Sequence, residues 1–554
     1  MLTYSFEKIG KESLYEYLYK CIRRDILTGK IQAGEKLPSK RSFARNLGIS
    51  VITVENAYAQ LVAEGYISSV PKSGYYAANL PWILERKEEA QRFPESGKRE
   101  AEEAQRFPEP GKREAEKARR FPEPGKRETE KARRFPEPGK RALEEKEFPG
   151  AVWRKDAEEP SFSAETKKAV CTAGQIREKG EAPILADLVS SRTDPAQFPF
   201  AVWAKLLRRV LSEQQEELME NAPGAGVRKL RQAIAEYLGQ YQGMQVSEEQ
   251  LFIGAGTEYL YGLLIQLLGQ EKIYGLEDPG YLKTGRIYES HQVKTVYIPM
   301  DEWGMQPKEL EKSGADVIHL SPSHHYPTGI TMPIGRRYEL LSWAEEKEGR
   351  YIIEDDYDCE FRLAGRPIPP LQSIDQKGKV IYMNTFTKSL ASTIRISYMV
   401  LPWELLQRFR EKLGFYACTV SNFEQYTLAE FIGGGYFDKH INRKRNYYRS
   451  KRDRLLAAVG GSGLGDRVRI HGADAGLHFL MEVDTELTDR ELVSRAEREG
   501  IRIACLSQYF YQGEKDLAAG YHHQVLINYG ALEEDKIPLV VRGLSRAWFG
   551  EQDP

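Results

Sequence analysis

The chain has 554 residues, 41% hydrophobic and 11% aromatic, with a formal net charge of −1; that is enough apolar material for more than one core. Its five cysteines (Cys21, Cys171, Cys359, Cys418, Cys505) form no C-x-x-C and no paired Cys/His spacing, which argues against a disulfide framework or a zinc finger. No run approaches the roughly 18 apolar residues of a membrane span, and the first twenty residues lack the apolar stretch of a secretory signal. These features exclude collagenous, disulfide-rich and membrane-spanning classes and lead to the expectation of a cytoplasmic protein with reduced thiols.

Residues 1–80 hold 11 Lys and Arg against 7 Asp and Glu, a mildly basic balance that suits nucleic acid. Leu14, Leu18, Ile22 and Ile26 recur at helical spacing. Ser39 suits the N-cap of a second helix carrying Phe43, Ala44 and Leu47, and Ser50 that of a third carrying Val54, Ala57, Tyr58 and Leu61. Only Gly48-Ile49 separates the second helix from the cap of the third, the spacing of a helix-turn-helix. Tyr66–Ser68 and Tyr75–Ala77 flank Pro71-Lys72-Ser73-Gly74, which predicts a hairpin with a basic tip, or wing. The third helix would then place Ser50, Thr53 and Asn56 toward base edges, Arg41 and Arg45 would reach phosphate or guanine, and Lys72 would enter the minor groove.

From about residue 85 a 14-residue unit repeats, with Phe93, Phe107, Phe121 and Phe135 in register. One Phe per unit cannot offset an ordering cost of about 1–2 kcal/mol per residue. The expectation is a charged, flexible linker over 81–180.

Beyond it, apolar strand-like runs (Leu251–Ile253, Lys272–Tyr274, Val293–Ile298, Val317–Leu320, Tyr351–Ile353, Val380–Met383, Ile396–Leu401) alternate with helical stretches, which predicts a mainly parallel sheet covered by helices. A smaller α+β lobe is expected from about residue 430. Gly254-Ala255-Gly256-Thr257 follows one strand and opens a helix, a ready anion site. The acids of Glu354-Asp355-Asp356 fall at a strand's carboxyl end, where open α/β sheets bind ligands. Thr385-Phe386-Thr387-Lys388, with Arg395 seven residues on, could hold a phosphate while the lysine forms an imine.

The stretch GEKLPSKRSFARNLGISVITVENAYAQLVAEGYI with SGYY resembles the winged helix-turn-helix of GntR-type bacterial regulators. From about Ala182 the chain resembles the fold-type I aminotransferases through GAGTEYL, EDPGY, SPSHHYPTG, IIEDDYDCEFR and NTFTKSLASTIRISYMVLP. Fusion of the two is the pattern of the MocR subfamily. The resemblance implies an N-terminal winged helix-turn-helix over 1–80 and, over 181–554, an α/β fold-type I domain that binds pyridoxal 5′-phosphate (PLP), with a smaller C-terminal α+β lobe. Lys388 would form the internal aldimine, Asp355 would pair with the pyridine nitrogen, and Tyr357 would bond the phenolic oxygen. Gly256, Thr257, Thr385, Thr387 and Arg395 would bind phosphate, and Tyr281 would stack on the ring.

Departures from the family matter as much. Val51 stands where relatives carry an Arg directly after the helix-capping Ser. Leu526 and Lys283 stand where carboxylate-binding arginines are expected, and Tyr326 replaces the usual Asn. An Arg–carboxylate clamp is bidentate and lysine replaces it poorly, so efficient transamination is not expected. His324 and His325 either touch the ring or pack the core, and no metal site is expected. The resulting expectation is a homodimeric regulator that binds double-stranded DNA at separated half-sites. It would respond to PLP, or to a small amine or amino acid joined to it, in control of vitamin B6 metabolism. An active aminotransferase with a DNA-binding head is the alternative.

Overall fold

The computed structural model describes residue 4 and residues 14–27, 30–32, 34–63, 66–70, 73–77, 184–190, 192, 194–363, 369–511 and 519–550. The repeat segment expected as a linker, Lys72 at the wing tip and Cys171 lie outside these residues.

The N-terminal region contains α1 (Leu14–Leu27), α2 (Lys40–Leu47) and α3 (Val51–Ala63). Leu18, Ile22 and Ile26 are buried, as are Phe43 and Ala44 of α2 and Val54, Ala57, Tyr58 and Leu61 of α3. Leu14, expected in the same stripe, is the first residue of α1 and stays 44% exposed. Ser39 accepts from the Ser42 N–H at 3.2 Å and Ser50 from the Thr53 N–H at 3.0 Å, so both expected caps form. The hairpin consists of β2 (Ile67–Val70) and β3 (Gly74–Ala77), and β3 also pairs antiparallel with β1 (Lys36–Leu37). That third strand is two residues long, too short to leave an alternation in the sequence. The Tyr58 hydroxyl donates to the Pro38 carbonyl at 2.9 Å and its ring meets Tyr75 edge-on at 4.9 Å, joining α3 to the sheet.

The C-terminal region opens with β4 (Ala186–Asp187) and is built on an eight-stranded sheet. Its strands are β5 (Leu251–Gly254), β6 (Ile273–Asp278), β7 (Lys294–Asp301), β8 (Gly304–Met305), β9 (Val317–Leu320), β10 (Tyr351–Asp355), β11 (Val380–Thr385) and β12 (Ser397–Val400). The order is β5-β12-β11-β10-β9-β6-β7-β8, and only β12 and β8 run antiparallel to the rest. Every residue of β9 through β12 is buried, which explains their unbroken Ile/Val/Leu/Tyr/Met runs. One core gathers Leu260, Leu264 and Leu268 with Ile353 and Ile381; another gathers Leu230, Ile234, Phe431 and Tyr398.

Register decides the site. Asp355 lies opposite Met383, Thr385 opposite Ser397, and Ser397 opposite Gly254. The carboxyl ends of β5, β10 and β11 and the amino end of β12 therefore meet at one edge, where such sheets hold ligands.

The smaller lobe carries an antiparallel sheet β13 (Val468–His471), β14 (His478–Val483), β17 (Gln524–Asn528), β16 (Ala504–Cys505). Its β15 (Ile501–Arg502) pairs with β4, so the first described strand of this region belongs to the last lobe. Among the described residues no helix is long and apolar enough to cross a membrane, and Cys21, Cys359, Cys418 and Cys505 are free.

Phe43 is fully buried between the helices, and its replacement by Ala is expected to cost about 3–5 kcal/mol. Hydrogen–deuterium exchange on the full chain should show this as lost protection across α1–α3.

Candidate functional site

β11 ends at Thr385, which caps the one-turn helix Phe386–Ser389. Thr385 Oγ1 accepts from the Thr387 N–H at 3.2 Å, lies 2.7 Å from Thr387 Oγ1, and receives the Ser397 hydroxyl at 2.9 Å. Lys388 sits in this turn and is only 8% exposed. Burial lowers its amine to about 8, with the Asp358 carboxylate pulling the other way. Behind the turn, Lys444 of the long helix Tyr436–Gly460 donates to the carbonyls of Lys388, Ser389 and Leu390 at 2.9, 3.2 and 3.3 Å. The Ser389 carbonyl also lies 2.8 Å from His440 Nε2, so the end of the turn is held from two residues of the long helix. Burial brings the Lys444 amine down to about 7.

Asp355 closes β10. Its Oδ2 accepts from the Tyr261 hydroxyl at 2.5 Å and lies 3.6 Å from His319 Nε2; His319 Nδ1 is 3.1 Å from the Tyr288 hydroxyl. Asp355 Oδ1 is buried without a hydrogen-bond partner. A buried carboxylate oxygen in that condition calls for a donor, and a cationic ring N–H supplies both charge and hydrogen.

The third corner is the turn from β5 into the helix Thr257–Leu268. Gly256 has φ +94°, and a Cβ there would lie 2.6 Å from Arg395 Nη2. Only glycine lets the backbone N–H groups at the helix start and the Arg395 guanidinium approach one another this closely. Arg395 is half-exposed, with Nη2 3.8 Å from Glu258 Oε2, and Lys283 pairs with the same carboxylate.

These corners enclose a cavity of about 280 Å³ whose wall includes Thr257, Tyr281, Asp355, Tyr357, Thr385, Thr387, Lys388 and Arg395. Tyr281 is 50% exposed at the mouth and meets Tyr326 edge-on at 5.6 Å. Leu526 is fully buried with Leu480 and Leu506, against which Tyr326 and Tyr509 pack, so no cation stands at that position. His325 also lines the cavity; its Nδ1 is 2.7 Å from Thr328 Oγ1, and burial drives its pKa down to about 3, leaving it neutral.

In the N-terminal region Arg41, Arg45, Ser50 and Asn56 are exposed and Thr53 is half-buried. Ser50 Oγ is 2.8 Å from Thr53 Oγ1, so the cap engages one of the expected base readers. Val51 and Ile52 are exposed beside them.

Residues 14–76 match the family model for bacterial regulatory proteins of the gntR family, and residues 190–513 that for aminotransferase class I and II. The HTH-type transcriptional regulator YdeL of Bacillus subtilis is 34% identical over 97% of this chain and 96% of its own length. The probable rhizopine catabolism regulatory protein MocR of Rhizobium meliloti is 29% identical over 90% of this chain and 87% of its own. The pyridoxine biosynthesis transcriptional regulator PdxR of Corynebacterium glutamicum is 25% identical over 97% of this chain and 96% of its own. The chain belongs to the MocR subfamily of GntR-type transcriptional regulators. A kynurenine aminotransferase from Pyrococcus horikoshii superposes with a TM-score of 0.59 at 24% identity, covering 70% of this chain and 96% of that one, and so shares the fold.

Within this MocR-type body, sequence reasoning overlooked residues of the site that stand outside the local motifs, Tyr261 and His319 of the cavity wall among them. Tyr261, Tyr288 and His319 around Asp355 lie on three separate elements. Ser397 and Lys444 carry no local signal, since a serine in an apolar strand and a lysine in a basic helix read as ordinary. Asp358 lay inside a quoted motif without a role.

Gly256→Ala is expected to weaken the binding of a phosphate-bearing ligand at this corner by about tenfold or more, with pyridoxal phosphate as the probe, because the added methyl must displace the Arg395 guanidinium. Equilibrium titration of the apoprotein, followed by absorbance, checks this.

Proposed function

We propose that this regulator holds PLP on Lys388 and that its grip on DNA depends on whether the cofactor, or an amine joined to it, fills the cavity. The observation that carries the reading is the pairing of a buried Lys388 amine at one end of the cavity with the partnerless Asp355 Oδ1, which sits between strand ends. The residues present fit the group. Asp355 would hold the pyridine N–H, Tyr357 would donate to the phenolic oxygen, and Tyr281 would cover the ring. Gly256, Thr257, Thr385, Thr387 and Arg395 would take the phosphate at the helix N-terminus. When bound, PLP supplies an aldehyde that condenses with an amine and an electron-withdrawing ring.

The signal in this reading is the cofactor itself or a small amine or amino acid adduct, with vitamin B6 metabolism as the controlled process. Supporting it are the buried Leu526, the Glu258-paired Lys283 and Tyr326, which stand at the three positions where an amino acid carboxylate would be gripped. The relative named for pyridoxine biosynthesis adds to this. Residues 1–80 form the DNA-binding head in this reading. Arg41 and Arg45 contact the backbone or guanine, Lys72 enters the minor groove from the wing, and Ser50, Thr53 and Asn56 face bases. Val51 and Ile52 offer apolar surface of the kind that meets thymine methyl groups. A cytoplasmic homodimer, with segment 81–180 tethering each head, would reach separated half-sites at raised effective concentration. A ligand shifts such a system only if it binds the two states unequally.

Two measurements test this. PLP is expected to change the affinity of the full chain for captured genomic sites by about fivefold or more, and Lys388→Ala to lose that response. Sites that ignore PLP overturn the sensing reading, and rapid multiple turnover with amino and 2-oxo acids favours the aminotransferase. The second is pH. The neutral amine is the form that attacks an aldehyde, and burial lowers Lys388 to about 8. Capture of PLP by the apoprotein should therefore quicken as pH rises and level off above about 8, not above the ordinary lysine value of about 10.4; stopped-flow absorbance reads it.

A further inference from the structure

The helix that follows the tight bend in the N-terminal region carries an outer face without a cation. From Val51 to Ala63, α3 holds no lysine and no arginine. Its inner stripe, Val54, Ala57, Tyr58 and Leu61, is buried, which turns Ile52, Glu55, Asn56 and Ala59 outward together at helical spacing. Ile52 is 68% exposed, so its side chain adds almost nothing to the core beneath it.

Base edges in the major groove take different partners. Guanine offers two acceptors to arginine or lysine, adenine an acceptor and a donor to asparagine or glutamine, cytosine a donor to a carboxylate, and thymine a methyl group to apolar side chains. On this list α3 has nothing for guanine. Glu55 suits cytosine, but its Oε1 lies 2.5 Å from the Lys40 ammonium at the start of α2 and is engaged there. The hydroxyls of the cap are turned to one another, with Ser50 Oγ 2.8 Å from Thr53 Oγ1 and also accepting the Thr53 N–H. That leaves Asn56, whose side-chain amide makes no hydrogen bond among the described residues, and Ile52 one turn before it. Four residues of helix rise about 6 Å, which is less than two base-pair steps of about 3.4 Å.

We propose that the operator half-site presents A·T pairs to α3, with Ile52 against a thymine 5-methyl group and Asn56 bidentate to the N6/N7 edge of an adenine within about two base pairs of it. With residues 1–80 taken as the DNA-binding head, as proposed above, this names what that head reads. Val51, exposed beside Ile52 where relatives carry an arginine, extends the apolar surface and withholds a guanine donor. Arg41 and Arg45, exposed on α2, reach phosphate, or a guanine outside the pairs that α3 covers.

The test lets the full chain, with and without PLP and at one salt concentration, select from a pool of random-sequence duplexes. The best-bound duplex is then remade with uracil in place of thymine at each position of a half-site in turn, which removes the methyl group and nothing else. Loss of the methyl that Ile52 covers is expected to weaken binding about fourfold, the worth of one buried carbon, and Ile52→Ala to bind the two duplexes alike. Asn56→Ala is expected to lose about tenfold of the preference for adenine at its position. Both side chains are exposed, so the core stays intact in either variant. Selected half-sites whose invariant pairs are all G·C overturn the proposal. So do uracil duplexes bound as tightly as thymine ones, and so does a uracil effect that survives Ile52→Ala. A chain that selects no sequence overturns the DNA-binding reading, and this inference with it; one that selects a G·C half-site leaves that reading standing and sinks only the inference.

Discussion

An ammonium group taken out of water loses solvation that nothing apolar replaces. The body of this protein is arranged around that penalty at Lys388. The lysine sits on a single helical turn at the end of a fully buried strand, fixed in front by the hydroxyls of Thr385, Thr387 and Ser397 and behind by Lys444. Two buried lysines thus meet at one turn of chain. One presents its tip to the cavity, and the other spends its donors on the carbonyls of the turn. Burial lowers both amines, and the charge of Lys388 lowers Lys444 further.

The same edge of the sheet sorts the remaining chemistry by position. The antiparallel β12 returns Ser397 and Arg395 to the carboxyl ends of β11 and β5, which is why one short loop supports both the lysine turn and the anion corner. Asp355 stands across the cavity, tied to Tyr261 and His319 with one oxygen left over. Membership of the MocR subfamily joins this body to a winged helix-turn-helix. In the proposed reading, the aminotransferase machinery is kept for recognition of a cofactor and no longer for turnover.

Much of this was readable beforehand because it rests on local rules. Ser39 and Ser50 announce helix starts, since a side-chain oxygen before an amphipathic run satisfies an orphan N–H wherever the helix ends up packing. Continuous apolar runs such as Val317–Leu320 and Val380–Met383 announce central parallel strands because both faces are covered. Leu14 opens α1 as its spacing predicts yet stays exposed, because periodicity marks a face but not how far along that face the neighbours extend.

Sequence by itself determined the two kinds of region, the strand ends that would carry Lys388, Asp355 and Gly256, and the family to which the chain belongs, because those signals lie within a few residues of one another. Only the tertiary structure decided the rest. It left Asp355 Oδ1 without a partner, aimed Lys444 at three carbonyls 54 to 56 residues away, and closed His324 on Asp358 beneath Gly476, more than a hundred residues farther along. Such contacts depend on strand order and register, and neither composition nor spacing encodes which distant side chains those will bring within hydrogen-bonding reach.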